Sequence, residues 1–324
     1  MAYQAGDTIL DDEYNTFVNS SSSPFGYNHF AGTGASQYGL GQTHIATVSG
    51  GSTTITASQW NTLLTAITNI ANHTNDTITA RTAVTSGDTI AIKAAVAADL
   101  ATLAASVAGG CVNATAVSES AELQSSTSNT RWVGSHTVEH SITFSNNNDL
   151  RHFFNAGGKM RMKFTRPGNG GGSATSKDSS VDELISAIGN FDLGAQVSTR
   201  SGSGETVSTN GLANGVADLS SSYTTLLILT QDSGTYTSMN IKIEAKINNS
   251  DYTDATVVTM RYTLTDPDSG DSEFTNGNTS GVDQYANFIG QTDFATHTVN
   301  PTTAQGLASV ASIASSAEVS NTTA

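Results

Sequence analysis

Residues 132–166 read WVGSHTVEHSITFSNNNDLRHFFNAGGKMRMKFTR, and the changes of period inside this stretch decide the fold. From His136 the residues alternate. Val138, His140, Ile142 and Phe144 fall on one face, and Thr137, Glu139, Ser141 and Thr143 on the other, the period of a half-buried strand. Residues 146–149 break the alternation, and Asn148 or Asp149 can cap a short helix. In that helix Leu150, Phe153 and Phe154 share a face at i, i+3, i+4. Gly157 and Gly158 stop it. Alternation then resumes, with Met160, Met162 and Phe164 inward and Lys159, Arg161, Lys163 and Thr165 outward, until Pro167 and a glycine run end the strand. The stretch reads as a strand–helix–strand packing unit.

Working outward, 324 residues are enough for one large β-rich domain or two smaller ones with proper cores. Only 13% of the residues are charged and 37% are hydrophobic. Ser, Thr, Asn and Gly dominate the remainder, which favours strands and turns over long helices. The formal charge of −15 argues against nucleic-acid binding, because neutralising phosphates needs a positive surface. Cys111 is the single cysteine, so no internal disulfide framework exists. The first fourteen residues are acidic and polar where a signal peptide is basic and then apolar, and no apolar run approaches the ~20 residues that a membrane span needs. The expected class is α+β, mainly β: an antiparallel sheet or sandwich domain with an N-terminal helix-containing docking region.

Four regions follow. Residues 1–111 form the helix- and loop-rich docking region. Asp11 caps a helix with Tyr14, Phe17 and Val18 in one stripe and Leu10 as staple, and residues 44–48 read as a short strand. Thr56 and Gln59 form a capping box for the strongest helix, 56–72, whose apolar face carries Trp60, Leu63, Leu64, Ile67, Ile70 and Ala71. A second helix, 88–107, presents Ile92, Val96, Leu100, Leu103 and Val107. Residues 112–130 lack periodicity and read as a linker. Residues 131–294 form the β-rich, sandwich-like domain. Within it Ser180 and Glu183 make a capping box for a helix, 223–229 is a near-continuous apolar strand, and 239–247 with 256–264 form a hairpin. Residues 295–324 read as a low-complexity C-terminal tail.

Chemistry is mostly excluded. His136-Thr-Val-Glu139-His140 matches the H-x-x-E-H string of one class of zinc peptidases, but that site requires a helix, where residues four apart share a face. In a strand the two histidines stand ~13 Å apart and Glu139 faces the other way. Residues 168–173 lack the ending of a phosphate-binding loop. Asp266, Asp268 and Asp271 miss the EF-hand spacing, since Gly270 holds the fifth position and Asp271 the sixth. No spacing assembles a nucleophile, base and acid. The expectation is a non-enzyme with no cofactor and no metal.

Two features remain as contact candidates. Arg151, Lys159, Arg161, Lys163 and Arg166 put five of the 13 basic residues within sixteen positions of an acidic chain. They read as an assembly interface for an acidic neighbour, such as another copy of the chain, or as a solvated strand face that protects an edge. Phe25, Tyr27, Phe30 and Tyr38 punctuate a glycine-rich loop, which reads as rings tucked onto their own helices or as an aromatic contact surface for a ligand.

Four strings carry a resemblance: YQAGDTILDDEYNTF at 3–17, GLGQ at 39–42, Thr56-x-x-Gln59-Trp60, and NDLRHFFNAGG at 148–158. Together they resemble virion structural proteins of tailed bacteriophages of marine bacteria and cyanobacteria, described as tail, collar or fibre-associated components. The resemblance touches most of residues 1–265, and residues 148–158 are its most specific part. It implies a non-enzymatic assembly subunit of the tail or neck. Its partners would be copies of itself and other virion proteins, and it would reside in the virion after assembly in the host cytoplasm. A capsid decoration protein, or a module binding a host receptor or surface glycan, is the alternative.

Overall fold

The computed structural model of the chain describes residues 11–23, 25–31, 39–40, 42–48, 55–88, 93–129, 131–168, 176–234, 236–267, 289–306 and 313–323. The fold is α+β and mainly β, with thirteen strands in two antiparallel sheets and six α-helices among the described residues. It divides into two compact units. One comprises Met1–Ser118, Asn148–Gly158 and Asn300–Ser312; the other comprises Glu119–Asn147, Lys159–Val299 and Ile313–Ala324.

The first unit is helical: α1 (Asp11–Asn19), α2 (Tyr27–Phe30), α3 (Ala57–Thr74), α4 (Lys93–Ala108) and α5 (Asn147–Asn155). Its core is the set of apolar faces expected from helical spacing. Tyr14, Phe17 and Val18 of α1, Trp60, Leu63, Ile67 and Ile70 of α3, and Val96, Leu100, Leu103 and Val107 of α4 are all buried in one cluster. Phe17 meets Trp60 edge to face, with ring centroids 6.2 Å apart. The Thr56–Gln59 capping box forms, and Asn75 closes α3 in the left-handed region at φ 61°.

Residues 44–48 do not form a strand. Their backbone instead pairs with side-chain amides projecting from helices. Asn28 donates to the Ile45 carbonyl at 2.8 Å and accepts from the Ile45 amide at 2.9 Å. Asn15 does the same to Val48, at 2.8 Å both ways. Asn61 repeats the device on Val84, at 2.9 Å both ways. A primary amide carries one acceptor and two donors, so it substitutes for a neighbouring strand at one residue.

The second unit contains the sheets. The strands, in chain order, are β1 (Val117–Glu119), β2 (Gln124–Thr127), β3 (Arg131–Trp132), β4 (Gly134–Phe144), β5 (Lys159–Gly168), β6 (Phe191–Leu193), β7 (Ser198–Arg200), β8 (Thr206–Asn210), β9 (Thr224–Thr230), β10 (Asn240–Ile247), β11 (Val257–Asp266), β12 (Ile289–Pro301) and β13 (Ile313–Thr323), with α6 (Ser176–Ile188) after β5. One sheet runs β1-β12-β5-β6-β7, with β2 and β3 also on β12; the other runs β13-β4-β11-β10-β9-β8. The sheets face each other in a sandwich-like pair. Tyr262 of β11 stacks on Phe294 of β12 at 5.3 Å, and Phe164 of β5 stands edge-on to both. The expected hairpin is β10 on β11, with Ile247 opposite Val258.

The opening stretch divides between the units. Its two strands, β4 and β5, lie in different sheets, and its helix α5 belongs to the helical unit. His73 Nε2 lies 2.7 Å from the Ala156 carbonyl, and a Cβ on Gly157, at φ +87°, would come 2.6 Å from Ala114 Cβ. Glycine is required there on both counts.

Other expectations are corrected. The 112–130 linker carries β1 and β2, which are too short to display alternation. The 295–324 tail holds the end of β12 and the whole of β13, which pairs along β4 from Phe144 to His136. β13 buries little apolar surface, so its hydropathy gave no strand signal; polar anchors hold it instead. α6 begins at Ser176, four residues before the expected Ser180 cap. Its first turn is fixed by tertiary ion pairs of Lys177 and Asp178 rather than by a local box.

Candidate functional site

The five cations of the opening stretch are bound within the protein. Arg151 is buried in the helical unit, where it hydrogen-bonds Asn148. The other four lie on β5. Arg161 makes a two-pronged contact to Asp192, Nε to Oδ1 at 2.7 Å and Nη2 to Oδ2 at 2.8 Å, and reaches Glu119 with Nη1 at 2.7 Å. The Asp192 hydrogen bond, with Glu119 adding to it, drives the Arg161 pKa up. Lys163 pairs with the same Glu119, whose carboxyl is held below its usual range by these two cations. Lys159 is 4.0 Å from Asp192. Arg166 forks onto Asp182 at 2.9 and 2.7 Å and touches Asp178 at 3.0 Å. These four side chains are matched by acids on β1, β6 and α6, which the sequence does not connect to them.

The described rings of the aromatic loop pack onto the helical unit. Tyr27 and Phe30 are buried in the helical core, and Phe25 stacks on His29 with centroids 4.0 Å apart. The Tyr27 hydroxyl reaches Gln42 Oε1 and the Thr43 carbonyl, both at 3.1 Å, and burial pushes its pKa up to about 12. Tyr38 lies outside the described residues, as do Asp268 and Asp271.

Beside these rings the helical unit bears an open groove of about 840 Å³. One wall is the outer face of α3, with Ser58, Asn61, Thr62, Thr65 and Asn69; the other is residues 42–46, with Gly306 at one end. Its lining holds no acid, lysine or arginine, and Asn61 is already committed to Val84. Cys111, in the same unit, has its thiol pushed up to about 12 by burial, with the Asp76 charge adding to it, and so stays protonated and unreactive.

The His136–Glu139–His140 string lies in β4 as strand residues. Both imidazoles point between the sheets and are fully buried. Glu139 turns to the outer face, 3.6 Å from Arg261. His140 Nδ1 lies 2.8 Å from Thr296 Oγ1, and Nε2 lies 2.7 Å from Ser126 Oγ. Ser126 also meets the Glu318 carboxylate on β13, and Thr296 meets the Tyr262 hydroxyl at 2.6 Å. A carboxylate only accepts, so Ser126 donates to Glu318 and accepts from His140 Nε2–H. His140 Nδ1 then accepts from Thr296, which accepts from Tyr262. The chain of five groups runs one way, with every proton placed.

His136 repeats the arrangement one pleat pair along. Nδ1 is 2.8 Å from Thr292 Oγ1, and Nε2 is 3.0 Å from Asn321 Oδ1. Burial lowers both histidines, His140 to about 4, against the opposing pull of Glu318. They remain neutral and tie β4 to β12 and β13. Ser126 is only 2% exposed, so its contact with an imidazole is structural and offers no substrate a nucleophile.

Among the described residues no cluster of three or more His, Cys, Asp or Glu side chains gathers in a metal-binding arrangement, and no helix is long and apolar enough to cross a membrane. The one trace of the histidine network in the sequence is a matched spacing, His136 and His140 against Thr292 and Thr296, which is readable only once β4 and β12 are known to face each other. Compared with known proteins, the chain matches no family model, no curated protein and no solved structure.

Proposed function

We propose that this chain is a non-enzymatic virion structural protein of a tailed bacteriophage, an assembly subunit of the tail or neck and collar. The observation that carries the reading is the string at residues 148–158, the most specific part of the resemblance to such proteins. This string forms α5 and its closing turn, the segment by which the chain leaves β4, joins the helical unit and returns to β5. A string that joins two units of a chain constrains architecture rather than chemistry, as expected of a structural subunit. Its partners are copies of itself and other virion proteins, and it resides in the particle. Mass spectrometry and imaging of purified particles test this: the chain is expected in a fixed multiple at one position on the tail or neck. Its absence from particles refutes the reading, and a place on the capsid shell makes it a decoration protein.

The groove on α3 favours a second reading, a module for a host surface glycan. Its wall of hydroxyl and amide groups, Ser58, Thr62, Thr65 and Asn69, suits a neutral polyol. Binding of the full chain to a glycan array, lost in Thr62→Arg, supports this reading; an array without signal removes it.

A further inference from the structure

Lys177, in the first turn of α6, and Asp266, the last residue of β11, form a pair unlike the other lysine ion pairs among the described residues. Lys177 Nζ lies 2.6 Å from Asp266 Oδ2, and both side chains are 0% exposed. The paired lysines Lys159, Lys163 and Lys242 keep 21%, 33% and 35% of their side-chain surface in solvent. Lys177 Nζ also lies 5.3 Å from the Tyr236 ring centroid. The neighbouring buried acid, Asp178, is held by Arg166 Nη1 at 3.0 Å and by the Gly290 amide at 2.7 Å.

Both ends of the Lys177–Asp266 contact are anchored by backbone. Asp266 sits opposite Gly134 in the β4–β11 ladder, and Lys177 is set by the start of a thirteen-residue helix. A buried ion pair is a poor way to gain stability, since removing two charges from water costs several kcal/mol for each ion. An amide between the same atoms carries no charge. Holding two reacting groups in contact replaces a bimolecular encounter, with effective molarities that reach about 10⁵–10⁸ M in well-oriented cases.

We propose that Lys177 and Asp266 condense to an intramolecular isopeptide bond that staples α6 to the end of β11. The proton on the hydrogen bond passes from the Lys177 ammonium to Asp266 Oδ2, leaving an amine and a carboxylic acid. Nζ attacks Cγ, and the Nζ–Cγ bond forms. A second Nζ proton goes to the departing hydroxyl, the Cγ–O bond breaks, and one water leaves. Ammonium plus carboxylate becomes amide plus water, so no oxidant or co-reactant enters.

The test is the intact mass of the purified full chain after denaturation, with peptide mapping. The expected mass is below that calculated from the sequence by one water, and digestion yields a branched peptide joining the Lys177 and Asp266 segments. In Lys177→Arg, which keeps the positive charge but offers no amine to the reaction, the full sequence mass returns. A wild-type chain of full mass after prolonged incubation in the folded state overturns the proposal, whether or not the variant folds. Water loss that persists in Lys177→Arg, or that maps to a cyclised aspartate elsewhere, overturns it as well.

Discussion

The two units solve the same problem, pairing backbone that would otherwise be buried unsatisfied, by different means. In the helical unit the irregular segments 44–48 and 79–85 have no strand beside them among the described residues, and asparagine side chains from the helices supply donors and acceptors to their backbone. In the sandwich the ladders satisfy the backbone, and the polar side chains are free to bridge the two sheets instead, as His136 and His140 do. The difference is one of reach. A helix consumes its own backbone hydrogen bonds, so only its side chains can support a neighbouring chain; a strand supports its neighbour with the backbone and keeps its side chains for the opposite layer.

This contrast can be broken at chosen points. The largest effect is expected from Lys177→Met, which takes the ammonium away from the buried Asp266 carboxylate at the end of β11. Removing one partner of a buried ion pair costs about 3–5 kcal/mol, and the proposed isopeptide staple is lost with it. Urea unfolding followed by Tyr262–Phe294 near-ultraviolet signals should shift accordingly; an unchanged midpoint means that Asp266 is not charged and buried as described.

Next in size is the response to acid. His140 has its folded-state pKa lowered to about 4 from 6.5, so its contribution to stability is complete above pH 6.5. It falls away as pH drops, because the unfolded chain takes up a proton that the folded chain refuses, and it is gone near pH 4. The loss is about 3 kcal/mol. His140→Phe should flatten the pH dependence of the unfolding midpoint between pH 6.5 and 4; a variant that retains the full slope removes His140 as its source.

A smaller effect, about 1–2 kcal/mol, is expected for Asn61→Ala, which leaves the amide and carbonyl of Val84 without their shared partner. Faster proteolytic cutting within residues 79–88, with the sheets unaffected, is the expected readout; equal cutting rates show that the pin contributes nothing. The smallest concerns the β5 ladder. Lys163→Ala removes one partly exposed partner of Glu119, which Arg161 still engages, and should cost under about 1 kcal/mol. A larger loss would mean that this ladder, and not the buried histidines, secures that face.

Much of the scaffold was legible because period survives in sequence. The alternation in β4 and β5, the faces of α1, α3 and α4, and the β10–β11 hairpin follow from the spacing of apolar residues alone. Period also sufficed to read the His136–His140 string as strand. The candidate sites were less legible. All five cations read as facing a partner or solvent; the acids beside the four on β5 come from positions 119, 178, 182 and 192, which no local pattern links to residues 159–166. Phe30 and Tyr27 read either as platform or as core, because an aromatic in a glycine-rich loop has no period to reveal its face.

What the sequence by itself determined is therefore the local order, strand–helix–strand in residues 132–166 and which face of each element is apolar, since this depends on contacts within a turn or a pleat. Tertiary structure alone decided that α5 joins the helical unit while its two strands enter opposite sheets. It also made a strand of the polar residues 313–323, and it brought Lys177 to Asp266 across 89 positions. Those outcomes rest on pairings between distant residues, whose free energy exists only once the chain has closed the loops that bring them together.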